Sequence, residues 1–410
     1  MSANKEELLA LLAEQYPPVL AAYAYGSGVV AQAGYDYSSA DPSQLPMLDL
    51  IFVVEDAEKW HAANMARNRE HYTSFAAVSA GVVAWIQERL GAHVWFNAYI
   101  PMNTARSGKR MLKYGVIERG AFLRDLRNWD NLYIAGRLHK PVLVVKSTPE
   151  VDEAFELNRR HAVRAAVLLM PKIFSELDLY LAVASLSYIG DPRMLVGENP
   201  RKVVNLVLPT VPHYRQAYSR ALQALQAEPT SLPLGGTLGE VLIASSEPVL
   251  RLVVGPAAAA APSSSAGAGA AGGVGGVGGV GGVGGVGVGT VGGAGGSAVA
   301  SASASAFVSA ASGPGSDSGE DTIYRQDGSR PARLSLCLGL PPALKRLLLI
   351  PVRARFSRLR PPTRAALRTA LASLVAKSAG PQSLKGLLTV GVVKSAAYVF
   401  AKMGKRFFGR

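Results

Sequence analysis

The chain has 410 residues, 49% of them hydrophobic, with a single cysteine and a formal net charge of +14, which leaves room for two or three domains and a sizeable core. The lone Cys337 excludes an internal disulfide framework and a cysteine zinc site, points to a reducing compartment, and reads as a small hydrophobe. No run reaches the roughly 18 to 20 apolar residues of a membrane-spanning helix, and the charge is lopsided: residues 331–410 hold 16 Lys or Arg and no Asp or Glu, against 27 basic and 29 acidic side chains in the other 330.

In chain order, Leu8, Leu9, Leu11 and Leu12 recur at helical spacing and Pro17-Pro18 ends that helix. Lys5, Glu6, Glu7 and Glu14 make Met1 to Tyr16 neither a secretory signal nor an arginine-rich transit peptide. Ala24-Tyr25-Gly26-Ser27-Gly28 follows, and then, after a polar loop holding Gly34, Asp36, Asp41, Pro42 and Pro46, the β-rich run Met47 to Val54 with Asp49 near its start. Gly26 and Gly28 let main-chain N–H groups approach a phosphate, Ser27 adds a hydroxyl, and Asp49 could present a carboxylate to Mg²⁺, although such a triplet alone is commonly a surface turn.

Asp56 caps a helix running through Trp60, His61, Asn64, Asn68 and His71. That polar stripe fits a hydrogen-bonded face better than a zinc site, because its histidines are too far apart. A helix through Val82, Trp85, Ile86 and Leu90 and strands at His93 to Ile100 and Leu112 to Ile117 come next. Phe122 to Pro141 is the densest polar-aromatic stretch, with Asp125, Trp129, Asp130, Asn131, Tyr133, Arg137, His139 and Lys140. Arg137 and Lys140 are either triphosphate clamps or surface charges on a connector.

Residues 151–228 read as a helical domain, its periodic segments broken by Pro171, Gly190-Asp191-Pro192 and Pro209. Tyr188, Asp191 and Arg193 sit in a turn that either caps a helix or faces the first domain. Residues 229–330 hold poly-Ala, Gly-Gly-Val and Ala-Ser repeats; glycine at every third position resembles collagen, but the prolines are missing, so a disordered insert is expected. Within the basic tail, residues 331–410, a basic amphipathic helix is expected over about 384–408. Lys394, Tyr398, Phe400, Lys402 and Phe407 would meet anionic lipid, a reading preferred to nucleic acid because the apolar side is so rich.

Taken as an ordered set, several stretches resemble the mitochondrial phosphatidate cytidylyltransferases, the peripheral CDP-diacylglycerol synthases. They are Tyr25-Gly26-Ser27-Gly28, Leu48 to Phe52, Trp60-His61 with Asn64, Asn68 and His71-Tyr72, Lys113 to Val116, Leu132 to Pro141, Leu186-Ser187-Tyr188 and Gly190 to Met194. The resemblance covers about residues 20 to 225, reappears at Lys394 to Phe400, and implies an α+β chain: a nucleotidyltransferase-fold domain (1–150), a helical, winged-helix-like domain (151–228), the insert and the membrane-binding tail. It further implies CTP and phosphatidate as substrates, Mg²⁺ as cofactor, CDP-diacylglycerol and pyrophosphate as products on the way to cardiolipin, anionic inner-membrane lipids as partners, no nucleic acid, and a peripheral place on the matrix side of the mitochondrial inner membrane. The oligomeric state stays open. Residue by residue, Gly26, Ser27 and Gly28 would bind the triphosphate and Asp49 the metal. Lys113, Arg137 and Lys140 lie in matching motifs, and charge makes them phosphate contacts, Lys113 with a catalytic part beside Asp49 and Ser27. The wider nucleotidyltransferase pattern places a second acid two positions after the first, where this chain has Ile51; Glu55, Asp36 and Asp191 are the candidates to replace it. A soluble nucleotidyltransferase with an RNA acceptor and a non-catalytic scaffold supporting protein import are the competing readings.

Overall fold

In the computed structural model, α1 (Lys5–Gln15) buries Leu8, Leu11 and Leu12 and is capped by Asn4, whose Oδ1 accepts from the Glu7 amide at 2.9 Å. The structure describes residues 4–29, 46–73, 79–104, 108–196, 199, 201–228, 249–253, 322–350 and 360–390. These include a five-stranded mixed sheet of β1 (Ala21–Tyr25), β2 (Leu48–Val54), β3 (Val94–Thr104), β4 (Gly108–Glu118) and β5 (Leu143–Lys146), in the order β3-β4-β2-β1-β5. β1 runs antiparallel to β2 and β5, β3 antiparallel to β4, and β2 parallel to β4. The parallel pair needs a crossover, supplied by α2 (Ala57–Arg67), a 3-10 turn at Arg69–His71, α3 (Ala80–Arg89) and the outer strand β3.

β2 is apolar from Leu50 to Val54 because both faces of the sheet are covered. Leu48, Leu50, Phe52 and Val54 pack with Leu8, Tyr16 and Tyr114, whereas Ile51 and Val53 pack with Tyr23, Phe122 and Val163 on the other face. Strand alternation therefore places Asp49, Lys113 and Tyr25 on the face shared with Ile51. That face is covered by α4 (Arg119–Asn128), α5 (Ile134–Arg137), α6 (Pro149–Leu169) and α7 (Glu176–Ser185), followed by α8 (Arg193–Val196), α9 (Lys202–Val207) and α10 (Val211–Ala227). A Ser175–Asp178 capping box starts α7.

The C-terminal part departs from the expected tail. β7 (Leu250–Val253) and β8 (Ile323–Gln326) join β6 (Ile173–Ser175) in an antiparallel sheet of order β6-β8-β7, so two strands lie inside the span read as a repeat insert. The repeats between them lie outside the described residues. Beyond β8, α11 (Arg330–Leu338), α12 (Pro342–Leu347) and α13 (Arg364–Val390) bury Leu336, Leu344, Leu371 and Leu374 in the cluster that holds Val163 and Leu179. Their leucines and alanines, spaced three and four apart, form a packed stripe beneath the basic residues that dominate the composition. Cys337 is buried among them, and burial pushes its thiol up to about 12.

α13 also runs through Gly380-Pro381 without a break, and Lys385, expected on a lipid-facing helix, is fully buried. Its Nζ donates to the carbonyls of Leu90 (2.5 Å) and Gln87 (3.2 Å), which end α3. Lys394, Tyr398, Phe400, Lys402 and Phe407 lie outside the described residues. No described helix is long and apolar enough to cross a membrane.

Candidate active site

The Gly26-Ser27-Gly28 turn leaves the end of β1, closed by Val29 N donating to Gly26 O at 3.1 Å. Gly26 has φ +79°, a conformation that side chains disfavour, and a Cβ there would lie 3.3 Å from Asp49 Oδ2. At Gly28 a Cβ would come within 2.8 Å of the Met47 carbonyl, so the turn lies flat against the start of β2. Arg110, almost fully buried, fastens this arrangement by donating from Nη2 to Gly28 O (2.9 Å) and Pro46 O (3.0 Å) and from Nε to Pro46 O (3.1 Å). Asp49 pairs in register with Tyr25 across β1 and with Lys113 across β4. Lys113 Nζ is 3.4 Å from Asp49 Oδ1 and 4.6 Å from the centre of the Phe96 ring.

Tyr25 connects this corner to the helices. Burial first, then the charge of Asp49, raises its hydroxyl above the ordinary range, with Lys113 and Arg137 pulling the other way. Arg137 stacks 3.7 Å over the Tyr133 ring and donates to the Tyr133 carbonyl at 2.8 Å. Burial works against its charge, but Tyr133 and Tyr25 outweigh it and hold the guanidinium firmly protonated. One turn on, Lys140 donates to Gly136 O and Ser187 Oγ, both at 2.8 Å, and lies 4.4 Å over the Tyr188 ring, which Lys202 approaches at 5.5 Å. Burial pulls Lys140 well below the usual lysine range, and Arg137, Lys202 and Arg193 add to the shift while Asp191 opposes it. Such crowding of cations around a buried ammonium favours an arriving anion, which would restore the charge.

The segment carrying Arg137 and Lys140 is shaped by Asp125, buried at the end of α4. Its Oδ1 accepts from the amides of Asn131 (3.1 Å) and Leu132 (2.8 Å), and its Oδ2 from Ile134 and Ala135 (both 2.9 Å). His139 and Trp129 both reach Asn158 Oδ1, at 3.1 and 2.8 Å, tying the segment to α6.

The structure thus brings Gly26, Ser27, Gly28, Asp49 and Lys113 to one corner and links it through Tyr25 to Arg137 and Lys140. The other acids fare differently. Glu55 lies beyond the opposite end of β2, six residues or about 20 Å of extended chain from Asp49, with its carboxylate held by Arg119 at 2.8 and 2.9 Å. It cannot share a metal ion with Asp49, and that candidacy is corrected. Asp191, nearly fully buried, is committed to Arg193, which reaches Oδ2 from Nη2 at 2.6 Å and Oδ1 from Nε at 3.0 Å. Asp36 lies outside the described residues. Among the described residues no three or more His, Cys, Asp and Glu side chains converge on a metal site.

Sequence reading missed Arg110, Lys202 and the structural part of Asp125. A charged residue just before the apolar run Met111-Leu112 was the signal for Arg110. The α2 stripe is a hydrogen-bonded face, as expected: Asn64 and Asn97 both donate to Tyr114 OH (2.9 and 2.8 Å), His71 meets the same hydroxyl (2.9 Å), and His61 lies between Tyr72 OH (2.8 Å) and Gln87 Oε1 (2.9 Å).

The sequence model of the family described as "Phosphatidate cytidylyltransferase, mitochondrial" matches residues 8–233. Proteins bearing that description include one from Mus musculus, 44% identical over 204 residues that cover 49% of this chain and 58% of the mouse protein. Another, from Dictyostelium discoideum, is 38% identical over 52% of each chain. A third, from Schizosaccharomyces pombe, is 37% identical over 55% of this chain and 54% of its own. The chain belongs to the mitochondrial phosphatidate cytidylyltransferase family. Its matched part spans a little over half the length of these relatives.

Proposed function

We propose that this chain is a phosphatidate cytidylyltransferase that converts CTP and phosphatidate into CDP-diacylglycerol and pyrophosphate. The observation that carries this reading is the continuous run of groups from the Gly26–Gly28 turn and Asp49 through Tyr25 to Arg137 and Lys140. A phosphate oxygen of phosphatidate attacks the α-phosphorus of CTP, the new P–O bond forms, and the bond to the β-phosphate breaks to release pyrophosphate. The attacking oxygen is already anionic near neutral pH, so positioning and charge neutralisation carry the catalysis.

The turn's backbone amides and Ser27 hold the triphosphate, Lys113 neutralises it beside Asp49, and Arg137 and Lys140 take the remaining phosphate charge. Asp49 fits a Mg²⁺ site, since its carboxylate stands beside the turn and one carboxylate completed by substrate phosphates is an ordinary magnesium set. The ion supplies neutralisation of phosphate charge when bound. The reading places the protein peripherally on the matrix side of the mitochondrial inner membrane, on the route to cardiolipin, with residues 391–410 meeting anionic lipid.

The test is transfer of label from α-labelled CTP into lipid by purified protein with Mg²⁺ and phosphatidate vesicles. Asp49→Ala is expected to abolish CDP-diacylglycerol formation; no product from the unaltered chain, or equal product from Asp49→Ala, overturns the reading.

A further inference from the structure

A second group of cations gathers beyond the triphosphate corner, around the Tyr188 ring in the turn that follows α7. Lys140 Nζ stands 4.4 Å from the ring centre, and the Nζ of Lys202, the first residue of α9, stands 5.5 Å from it, so one ring carries both ammonium groups. Lys140 is held in place by donating to Gly136 O and Ser187 Oγ, both at 2.8 Å, which uses two of its three N–H groups. A Cβ on Gly136 would overlap that of Ser187, so the segment carrying Arg137 and Lys140 packs directly on the turn carrying Tyr188.

The charges around this ring are one-sided. Arg137, Lys202 and Arg193 are the cations that bear most on Lys140, and Asp191 is the acid that opposes them. Asp191 is already committed to Arg193, at 2.6 and 3.0 Å, and is nearly fully buried. The positive charge of Arg137, Lys140 and Lys202 is therefore not answered by it. The cluster also stands apart from the corner at Asp49. The chief charges acting on Tyr25 are Asp49, Lys113 and Arg137, whereas those acting on Lys140 are Arg137, Lys202, Arg193 and Asp191, so Arg137 is the cation common to both.

The transfer brings together two anions, a triphosphate and a phosphate monoester that carries about −1.5 to −2 near neutral pH, and cations at each must offset their repulsion. We infer that Lys140 and Lys202, over Tyr188, form a separate subsite for the phosphate monoester of the lipid acceptor, with Arg137 standing between it and the triphosphate held at Gly26–Gly28. This rests on the proposed function and divides its phosphate charge: Lys113 and Arg137 serve the nucleotide, Lys140 and Lys202 the acceptor. Two ammonium groups on one ring attract a dianion more strongly than a monoanion, so the subsite takes a phosphate monoester in preference to a diester lipid. Lys202, which sequence reading did not single out, then sets acceptor specificity.

The test is a split between the two substrates in the full-length chain. Lys202→Gln is expected to raise the KM for phosphatidate in detergent micelles about tenfold, the loss of one charge-assisted contact, with CTP affinity and melting temperature unchanged. Lys202→Arg, which keeps the charge, is expected to recover most of the loss. Calorimetric titration with dihexanoyl phosphatidate, with α,β-methylene CTP and Mg²⁺ filling the nucleotide site, is expected to show the same pattern without turnover. Dihexanoyl phosphatidylglycerol, a diester, is expected to bind the unaltered chain about tenfold more weakly, and Lys202→Gln is expected to narrow that gap. An unchanged phosphatidate KM in Lys202→Gln refutes the subsite while the proposed function stands. An equal loss of CTP affinity assigns Lys202 to the nucleotide and also refutes it, as does inorganic phosphate binding as tightly as the lipid, which makes the cluster a site for a free anion. If the unaltered chain forms no CDP-diacylglycerol, the proposed function fails first.

Discussion

Asp125→Ala is the perturbation whose size the structure predicts best. The carboxylate is 2% exposed and accepts four backbone N–H groups, at 2.8 to 3.1 Å, from the segment that leads into Arg137 and Lys140. Trp129 and Leu132 in that segment have φ of +57° and +55°, each a conformation that costs a side-chain-bearing residue about 1–2 kcal/mol. A hydrogen bond to a charged acceptor contributes about 1.5–3 kcal/mol. Taking the lower value for each of four, and allowing for water entering the space, alanine should cost about 4–6 kcal/mol. That is a large part of the roughly 5–15 kcal/mol that holds a domain together. Asp125→Asn keeps two acceptor contacts but turns an NH₂ group towards the other two amides, so about half that loss is expected. Urea unfolding followed by tryptophan emission measures the stabilities, and CTP titration below the transition measures the site, whose affinity should fall as the segment loosens. An Asp125→Ala protein within about 1 kcal/mol of the unaltered chain would show that the four amides find other partners and that Asp125 does not shape the site.

Gly26→Ala is expected to fold with a loss of about 1–2 kcal/mol from its φ of +79° and to weaken CTP binding by crowding Asp49. Circular dichroism and equilibrium titration check both, and unchanged affinity removes the turn from the site. Burial holds His61 near pH 4 and His139 and His161 near pH 3, whereas each takes its proton at about 6.5 when unfolded. Their depressed folded values make the stability fully present above pH 6.5 and lost as pH falls towards the folded values, about 2 kcal/mol per histidine at pH 5; equal urea midpoints at pH 7.5 and 5 would contradict this. Truncation after Val390 should keep the fold and CTP affinity while reducing vesicle flotation, whereas truncation after Ser383 removes Lys385 from the end of α3 and should lower the melting temperature by several degrees. Equal melting temperatures for the two would show that the Lys385 contacts add nothing.

Much of the fold was legible because local signals agreed with it. Asp56 caps a helix, the glycine turn follows β1, and the segment breaks at Pro171 and Pro209 fall where helices stop. The C-terminal part misled because charge and packing occupy different faces of the same helices: counting Lys and Arg describes the exposed side of α13, while Leu367, Leu371 and Leu374 fix its place. Gly380-Pro381 misled for a related reason. Proline costs one hydrogen bond and a steric clash within a helix, but α13 is held on both sides of it, by Ser378 donating to Asn131 O, by Gln382 donating to Val94 O on β3 and by Lys385 donating to Leu90 O at the end of α3.

The missing second acid has a geometric answer. Residues 49 and 51 share a face of β2, but position 51 lies about 7 Å further along the strand, under α4 and α6, where Ile51 is fully buried among Tyr23, Phe122 and Leu126. A carboxylate there would be desolvated at a cost of several kcal/mol with no cation on the strand beside it, since its partner on β4 is Gly115. Asp49 escapes this because it stands near the open end of the strand, opposite Lys113 rather than Gly115. The helices that close over β2 one residue pair beyond Asp49 also bring Arg137 up to Tyr25, with Lys140 beside Arg137. The packing that removes a carboxylate from position 51 therefore supplies the cations of the site.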